Sequence, residues 1–439
     1  MLVESFSGIR GVYGKELTDD AARRYAYVFY EFLKKKVGKE PLIVVGYDTR
    51  RSNKALKKAV FEPLTNIIDV GIMPVAAVEL AVRKYKADGG IMITASHNEP
   101  EFNGFKFLDK DGAVLRPKDI NEVIKEFRRV KELRINRKNK ILKKNRDLID
   151  RYAKFLLKIV GKIDNKAKVI LDVNGGSGVI VKEIIKKLKL KNIEVINDRI
   201  GKFKRKIEPN EVSLRYLKKI MGNAEFAAGF DCDADRVEIL LKDGSLVDGN
   251  YLLALIVDDI LKKGIVVTND ATSNVVRRVA EKHNCDVKEV EVGEINVVDE
   301  MLRLNSPIGG EGSNGGVIIP PSRCRDGILS VFYLLKIINM RKKSLRQLIK
   351  ELPKYHTIQK KIKLSKKIDR NKIKKYYSKY IIQETGDETG GLKIIINKNN
   401  FVWFRASKTE ANLLRIIADS DSNIECKRLL AEACSLVKK

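Results

Sequence analysis

The stretch GGIMITASHN, Gly89–Asn98, starts as a short apolar run and breaks into a polar turn carrying Ser96 and His97 side by side. A run this short, bounded by glycine and by small polar residues, reads as a buried strand running into a loop. The same phrase recurs outward along the chain. PLIVVGYDTR (Pro41–Arg50), KVILDVNGGSG (Lys168–Gly178), AAGFDCDADR (Ala227–Arg236) and PIGGEGSNGG (Pro307–Gly316) each end in a polar loop, with amphipathic helical stretches between them. Strand, loop, helix in alternation is the α/β rhythm, and ligands in open α/β sheets bind beyond the carboxyl ends of the strands. The five loops are therefore candidates for one shared cleft. Helix ends are legible too: Thr18 precedes Asp19 and Asp20 as an N-cap with an acidic first turn, and Gly38 follows the lysines that close the helix. Between Leu352 and His356 the pattern changes. Strand-like runs separated by an Asn-rich turn, GGLKIIINKNNFVWFRASKTE, and a closing helix from about Ser422 read as a smaller C-terminal α+β domain.

Length and composition narrow the class. At 439 residues the chain suggests roughly three domains on a prior of about 150 residues each. With 44% hydrophobic and 33% charged residues it reads as a soluble globular protein, and no run approaches the ~18 uncharged apolar residues of a membrane helix. The start, MLVESFSGIRG, has neither a basic segment nor an apolar signal core, so the expected compartment is the cytoplasm. Five scattered cysteines without a Cys-x-x-Cys pair argue against a disulfide framework and against a zinc site. The formal charge of +30 could serve nucleic acid, an anionic membrane or an anionic small substrate. It is spread over many helical segments and has no nucleic-acid recognition motif with it, which favours a solvated basic surface. Abundant Lys and Ile with many charges also suits a protein from a hot environment.

Chemistry concentrates in four loops. Asp231, Asp233 and Asp235 alternate in DCDADR, and carboxylates so crowded repel one another unless a cation compensates. An EF-hand is excluded, because Arg236 stands where its glycine and Lys242 where its bidentate glutamate would have to be. Oxygen ligands without histidine favour Mg²⁺ over zinc, while three solvated turn aspartates are the plain alternative. Ser96 lacks the Gly-x-Ser-x-Gly setting of a hydrolase nucleophile. It is either a cap or turn residue or, if it faces the aspartate loop, a phosphoryl carrier. In RASKTE, the guanidinium of Arg405, the hydroxyls of Ser407 and Thr409 and the ammonium of Lys408 could cradle a phosphate monoester, or form a surface turn. In GEGSNGG, the glycines admit close approach while Glu311 and Ser313 could hydrogen-bond hydroxyl groups, or the segment is a flexible loop.

In this order the loops, together with SGIRG at Ser7–Gly11, VVGYDTRRS at Val44–Ser52, NGFKF at Asn103–Phe107 and VGEINVVDEM at Val292–Met301, resemble the α-D-phosphohexomutase superfamily over nearly the whole chain. The superfamily includes phosphomannomutase/phosphoglucomutase and phosphoglucosamine mutase enzymes. The resemblance implies three similar α/β domains and a smaller C-terminal α+β domain around a central cleft. Their expected bounds are 1–148 with the phosphoserine loop, 149–248 with the metal loop, 249–353 with the sugar loop and 354–439 with the phosphate loop. It implies Ser96 as the phosphoserine and Asp231, Asp233 and Asp235 as Mg²⁺ ligands joined by the serine's phosphate. Glu311 and Ser313 match the sugar contacts, and Arg405, Ser407, Lys408 and Thr409 the phosphate clamp. Arg10, His97, Lys106 and Arg236 fall near the reacting phosphate, Lys106 being the candidate general acid/base. Glu99, Tyr47 and Cys232 depart from the common pattern without removing a ligand or the nucleophile. Asn314, Gly315 and Ala411 depart where the sugar is read.

The implied reaction interconverts hexose 1-phosphate and 6-phosphate, mannose or glucose type favoured, through a hexose 1,6-bisphosphate that turns around in the cleft. A hinged fourth domain would suit that reorientation. The alternatives are a phosphoglucosamine mutase and a non-catalytic nucleic-acid-binding relative. The expected partner is a small sugar phosphate, with no nucleic acid and no membrane, in a monomer or homodimer.

Overall fold

The computed structural model describes residues 2–5, 7–133, 135, 137–312, 315–364, 368–406 and 413–438. Its architecture is mixed α/β, and the chain divides into two compact units, Met1–Val247 with Gly316–Leu345, and Asp248–Gly315 with Arg346–Lys439.

The first unit holds two sheets. The larger has seven strands in the order Val3–Ser5, Gly8–Val12, Phe102–Asp109, Gly89–Ile93, Leu42–Tyr47, Asn66–Ile72 and Lys140–Lys143. The last four run parallel, joined by the helices Asn53–Phe61 and Val75–Lys84, whereas Phe102–Asp109 returns antiparallel beside Gly89–Ile93. Parallel neighbours place the ends of Leu42–Tyr47 and Gly89–Ile93 at one edge, so the loops that follow them meet. Helix Asp19–Val37 covers one face. Thr18 Oγ1 accepts the Ala21 N–H at 3.1 Å, and Gly38, at φ 70°, donates to Lys34 O at 2.9 Å, so both ends are closed by the residues that mark them in the sequence. The helix buries Tyr25, Phe29, Tyr30 and Leu33, with Tyr25 stacked on Phe127 at 3.7 Å between ring centroids. The second sheet runs Leu246–Val247, Val237–Leu241, Phe226–Phe230, Val169–Asp172, Ile193–Ile196. Phe226–Phe230 and Val237–Leu241 are antiparallel, pairing Phe230 with Val237, and leave Asp231–Arg236 as the connecting loop.

In the second unit, Ile265–Asn269 lies parallel between Asp286–Val290 and Gly309–Gly310. A five-stranded antiparallel sheet follows in the order His356–Lys363, Leu413–Ser420, Phe401–Ala406, Leu392–Ile395, Ile381–Glu384, backed by the helix Asn423–Lys438. Asp419 ties the antiparallel sheet to the helix that follows Ile265–Asn269. Its carboxylate has no solvent-exposed surface and accepts Ser273 Oγ at 2.6 Å and the Asn274 N–H at 3.1 Å, at the start of helix Asn274–Lys282. Burial, opposed by the Ser273 and Asn274 hydrogen bonds, pushes this carboxyl up to about 7.

A raised carboxyl pKa means that the folded state binds its proton more tightly than the unfolded chain does. Its contribution to stability is complete below about pH 4 and is lost as pH rises through 7. About three pKa units correspond to roughly 4 kcal/mol. Asp419→Asn, which cannot ionise, should therefore gain on the wild type by up to roughly 4 kcal/mol between pH 4 and pH 8. Denaturant unfolding at several pH values checks it, and parallel stability curves for the two proteins would contradict it.

Candidate active site

Ser96 sits just beyond the strand Gly89–Ile93 at φ 48°, a left-handed conformation that costs a non-glycine residue of order 1 kcal/mol and persists where surrounding bonds hold it. Here the Ser96 N–H donates to Thr94 Oγ1 at 2.8 Å, and that hydroxyl donates to Asp48 Oδ2 at 2.7 Å. Arg50 supplies the rest. Its guanidinium donates from Nε to Asp48 Oδ2 at 3.1 Å, from Nη1 to the carbonyls of Glu99 and Phe102 at 2.6 and 3.0 Å, and from Nη2 to those of Ser96 and Asn98 at 2.8 and 2.6 Å. One buried arginine thus engages four carbonyls of the loop and shapes it around itself.

The aspartate loop comes to the serine from the other sheet of the same unit. Its backbone is fastened on three sides: Cys232 O accepts the Ser177 N–H and Oγ at 2.8 and 2.9 Å, Asp233 O accepts Val75 N–H at 3.0 Å, and Ala234 O accepts Gly327 N–H at 3.1 Å. Loops from the first four strand-loop phrases thereby converge in this unit. The three carboxylates are buried and offer ligand atoms within 4.8 Å of one another.

Ser96 Oγ donates to Asp231 Oδ2 at 2.8 Å, and Lys106 Nζ lies 2.8 Å from Asp233 Oδ2 and 2.9 Å from Asp235 Oδ2. Arg325 Nη2 reaches the same Asp235 oxygen at 3.3 Å. Burial, then Asp235 and Asp233, drive the Asp231 carboxyl well above the ordinary range. For Asp235 burial also works upward, but Lys106, Arg325 and Arg236 outweigh it and hold that carboxyl well below the ordinary range.

These oxygens fit a hard divalent cation. Among the described residues, Asp233 Oδ1, Asp233 Oδ2 and Asp235 Oδ1 are buried without a hydrogen-bond donor; Asp233 Oδ2 has the Lys106 ion pair, and Asp235 Oδ2 is held by Lys106 and Arg325. Buried acceptors left without donors are costly unless something positive completes them.

The remaining candidates in this unit surround the serine. His97 Nδ1 is 3.4 Å from Ser96 Oγ, and burial, followed by Arg236 and Arg10, lowers the imidazole's affinity for a second proton, so it stays neutral. Arg10 Nη1 donates to Asn98 Oδ1 at 3.0 Å, and Arg236 Nη1 pairs with Glu208 Oε1 at 3.1 Å while its N–H bonds Asp231 Oδ1 at 3.2 Å. In the second unit, Glu311 Oε1 is buried and accepts Asn269 Nδ2 at 3.0 Å and Gly293 N–H at 2.9 Å. Arg405, near the end of Phe401–Ala406, lies 3.4 Å from Glu291 Oε1. Ser313, Ser407, Lys408 and Thr409 lie outside the described residues.

Sequence reasoning passed over Arg50, Asp48, Thr94 and Arg325. The first two stand in YDTRRS, a motif visible in the sequence whose carbonyl-binding task has no local signature. Arg325 stands in SRCRDG with no motif to raise it.

Two family descriptions match the chain: "Phosphoglucomutase/phosphomannomutase, alpha/beta/alpha domain I" over residues 4–134 and the corresponding domain III over 248–355. A phosphoglucomutase/phosphomannomutase of Thermococcus kodakarensis is 32% identical, covering 98% of this chain and 97% of its own. A probable phosphoglucosamine mutase of Pyrococcus horikoshii is 30% identical with the same coverage. The crystal structure of a putative phosphomannomutase from Thermus thermophilus superposes with a TM-score of 0.83 at 26% identity, covering 100% of this chain and 99% of that one.

Removing the cation from a buried ion pair leaves an uncompensated charge and costs about 3–5 kcal/mol. Lys106→Met should lose that much stability in EDTA and recover part of it in millimolar Mg²⁺, because a ligand that binds only the folded state stabilises it. Thermal unfolding with and without Mg²⁺ reads both; an Mg²⁺ response absent from wild type and variant alike would contradict the fit. Arg50→Met should cost a similar 3–5 kcal/mol, since it strands Asp48 and four carbonyls, and faster amide exchange in residues 94–102 would locate the damage.

Proposed function

The chain belongs to the phosphoglucomutase/phosphomannomutase family, and we propose that it interconverts hexose 1-phosphates and hexose 6-phosphates by phosphoryl transfer through Ser96. The observation that carries this reading is the 2.8 Å contact between the Ser96 hydroxyl and a buried carboxylate trio with unsatisfied oxygens. An acyl-transfer hydrolase, whose serine needs a neighbouring general base, does not call for that arrangement. Phosphoryl transfer does, because its catalysis rests chiefly on positioning and on neutralising the oxygens of the group in flight.

With phosphate on Ser96, the free hydroxyl oxygen of a hexose phosphate attacks phosphorus, the bond from phosphorus to Ser96 Oγ breaks, and the product is a hexose 1,6-bisphosphate. After the sugar turns over, the serine takes back the other phosphate. Asp231, Asp233 and Asp235 would hold Mg²⁺, which when bound would supply positive charge to the phosphoryl oxygens. Lys106 serves the hydroxyl proton as acid/base, and Arg10 and Arg236 add fixed cationic donors. His97 Nδ1 lies 3.4 Å from Ser96 Oγ, beside the transferring group. Arg405, Ser407, Lys408 and Thr409 are assigned to the non-reacting phosphate, and Glu311 and Ser313 to sugar hydroxyls.

The assignment extends to four domains, 1–148, 149–248, 249–353 and 354–439, and to a cytoplasmic enzyme acting on a small sugar phosphate as monomer or homodimer. Among the described residues no helix is long and apolar enough to cross a membrane. Mannose or glucose phosphate is favoured over glucosamine phosphate, on the RASKT sequence of the phosphate loop.

With Mg²⁺ and a trace of hexose 1,6-bisphosphate, wild-type protein should turn over mannose or glucose 1-phosphate with a higher kcat/KM than glucosamine 1-phosphate. The reverse order would convert the assignment to a phosphoglucosamine mutase. Ser96→Ala should lower kcat by about 10³ or more without loss of thermal stability. Undiminished turnover in that variant, or steeply salt-dependent nucleic-acid binding with no turnover in the wild type, would remove the mechanism.

A further inference from the structure

We propose that Arg325 is a positioning residue of the phosphoryl-transfer site, fixing Asp235 and balancing the charge of phosphorylated Ser96. The inference rests on the proposed function and adds a residue to it. Arg325 is buried, and its Nη2 lies 3.3 Å from Asp235 Oδ2, the oxygen that also meets Lys106. With that oxygen held by two cations, Asp235 Oδ1 is left as the oxygen without a donor.

The chain that carries Arg325 is fastened at the next residue. Asp326 is fully enclosed, accepts Tyr152 OH at 2.8 Å on both oxygens, and caps the helix Gly327–Arg341 by accepting Leu329 N–H at 2.9 Å. Gly327 then bonds the aspartate loop through Ala234 O. Gly316, at φ 77°, lies so close that a Cβ there would fall 2.4 Å from Asp235 O and 3.2 Å from Arg325 Cβ. Helix cap, glycine contact and metal loop are thereby linked by backbone contacts on either side of Arg325 and Asp235.

The need for a permanent cation follows from charge. A phosphoserine adds ≈ −1.5 to −2 at neutral pH beside three buried carboxylates. Lys106 is one counter-ion, and Arg325 on the same Asp235 oxygen is a second. A guanidinium does not deprotonate in proteins and keeps its charge through both halves of the cycle. A fixed cation of this kind favours the phosphorylated serine and stabilises the group in transfer, with little effect on how the sugar's own phosphate is held.

The experiment equilibrates wild type, Arg325→Gln and Arg325→Lys with Mg²⁺ and hexose 1,6-bisphosphate. It reads the fraction phosphorylated on Ser96 by intact mass and peptide mapping, then measures kcat, KM and thermal unfolding. Arg325→Gln should show a phosphorylated fraction at least threefold lower and a kcat about 10- to 100-fold lower, with KM within about threefold. Arg325→Lys, which keeps the charge and loses the fork, should restore the phosphorylated fraction and only part of kcat. A Gln variant with wild-type phosphorylation and kcat overturns the inference, as does an equal loss in both variants that follows their loss of thermal stability. Should the Gln variant not fold, the Lys variant decides: full phosphorylation with lowered kcat supports the inference, and a wild-type kcat overturns it. Wild-type protein that never takes phosphate on Ser96 brings down the proposed function and this inference together, whereas a phosphorylated wild type matched by the Gln variant brings down this inference alone.

Discussion

Three carboxylates buried within 4.8 Å of one another form the constraint around which the first unit is organised. Ionised together and uncompensated, they would repel by several kcal/mol even at an effective dielectric near 20. The chain meets that demand with side chains from distant segments: Lys106 from a returning strand of the larger sheet, Arg325 from the start of a late helix, and the Ser96 hydroxyl as a neutral donor. Each of these contacts brings a separate part of the chain to one hairpin loop. The site's electrostatics and the packing of the unit are therefore one problem, and among the described residues Asp233 Oδ1 and Asp235 Oδ1 are left with neither a hydrogen-bond donor nor a cationic side chain.

A second buried charge works in the opposite sense. Arg50 takes no part in the trio, yet its hydrogen bonds to Asp48 and to four carbonyls set the path of the serine loop and hold Ser96 at positive φ. A buried guanidinium is tolerated because Asp48 pairs with it and the carbonyls occupy its remaining donors. The loop is thereby prepared before any ligand arrives, which is the condition under which electrostatic stabilisation of a transferring group is most effective. In the second unit Asp419 has a comparable structural part. It joins the antiparallel sheet to the start of helix Asn274–Lys282, but lacks a full cationic partner, and burial leaves it with a raised pKa.

Much of this was legible in the sequence because it is local. The alternation of short apolar runs with polar loops marks the strands that carry Ser96 and the aspartates, the Thr18 and Gly38 caps mark the ends of helix Asp19–Val37, and the Asn-rich turn marks the hairpin around Asn397–Asn400. The alternation of Asp231, Asp233 and Asp235 marks the loop in which the three buried carboxylates gather. Arg50 and Arg325 were not legible as site residues. Among so many basic residues, nothing local separates a guanidinium that will be buried against carbonyls or a carboxylate from one that will face water. Lys106, named as an acid/base group on the strength of its motif, gains from the structure a direct contact with two carboxylates, 127 and 129 residues away (233 − 106 and 235 − 106).

The sequence by itself determined the α/β class, the positions of the chemistry-bearing loops and the family to which they belong, since periodicity, caps and motifs are properties of neighbouring residues. Only the tertiary structure decided which cations meet which carboxylates, which oxygens remain without donors and why Ser96 is held in a left-handed turn. Those outcomes depend on burial and on distances of about 3 Å between segments 46 to 135 residues apart, and charge in a low-dielectric interior takes its meaning from what is packed against it.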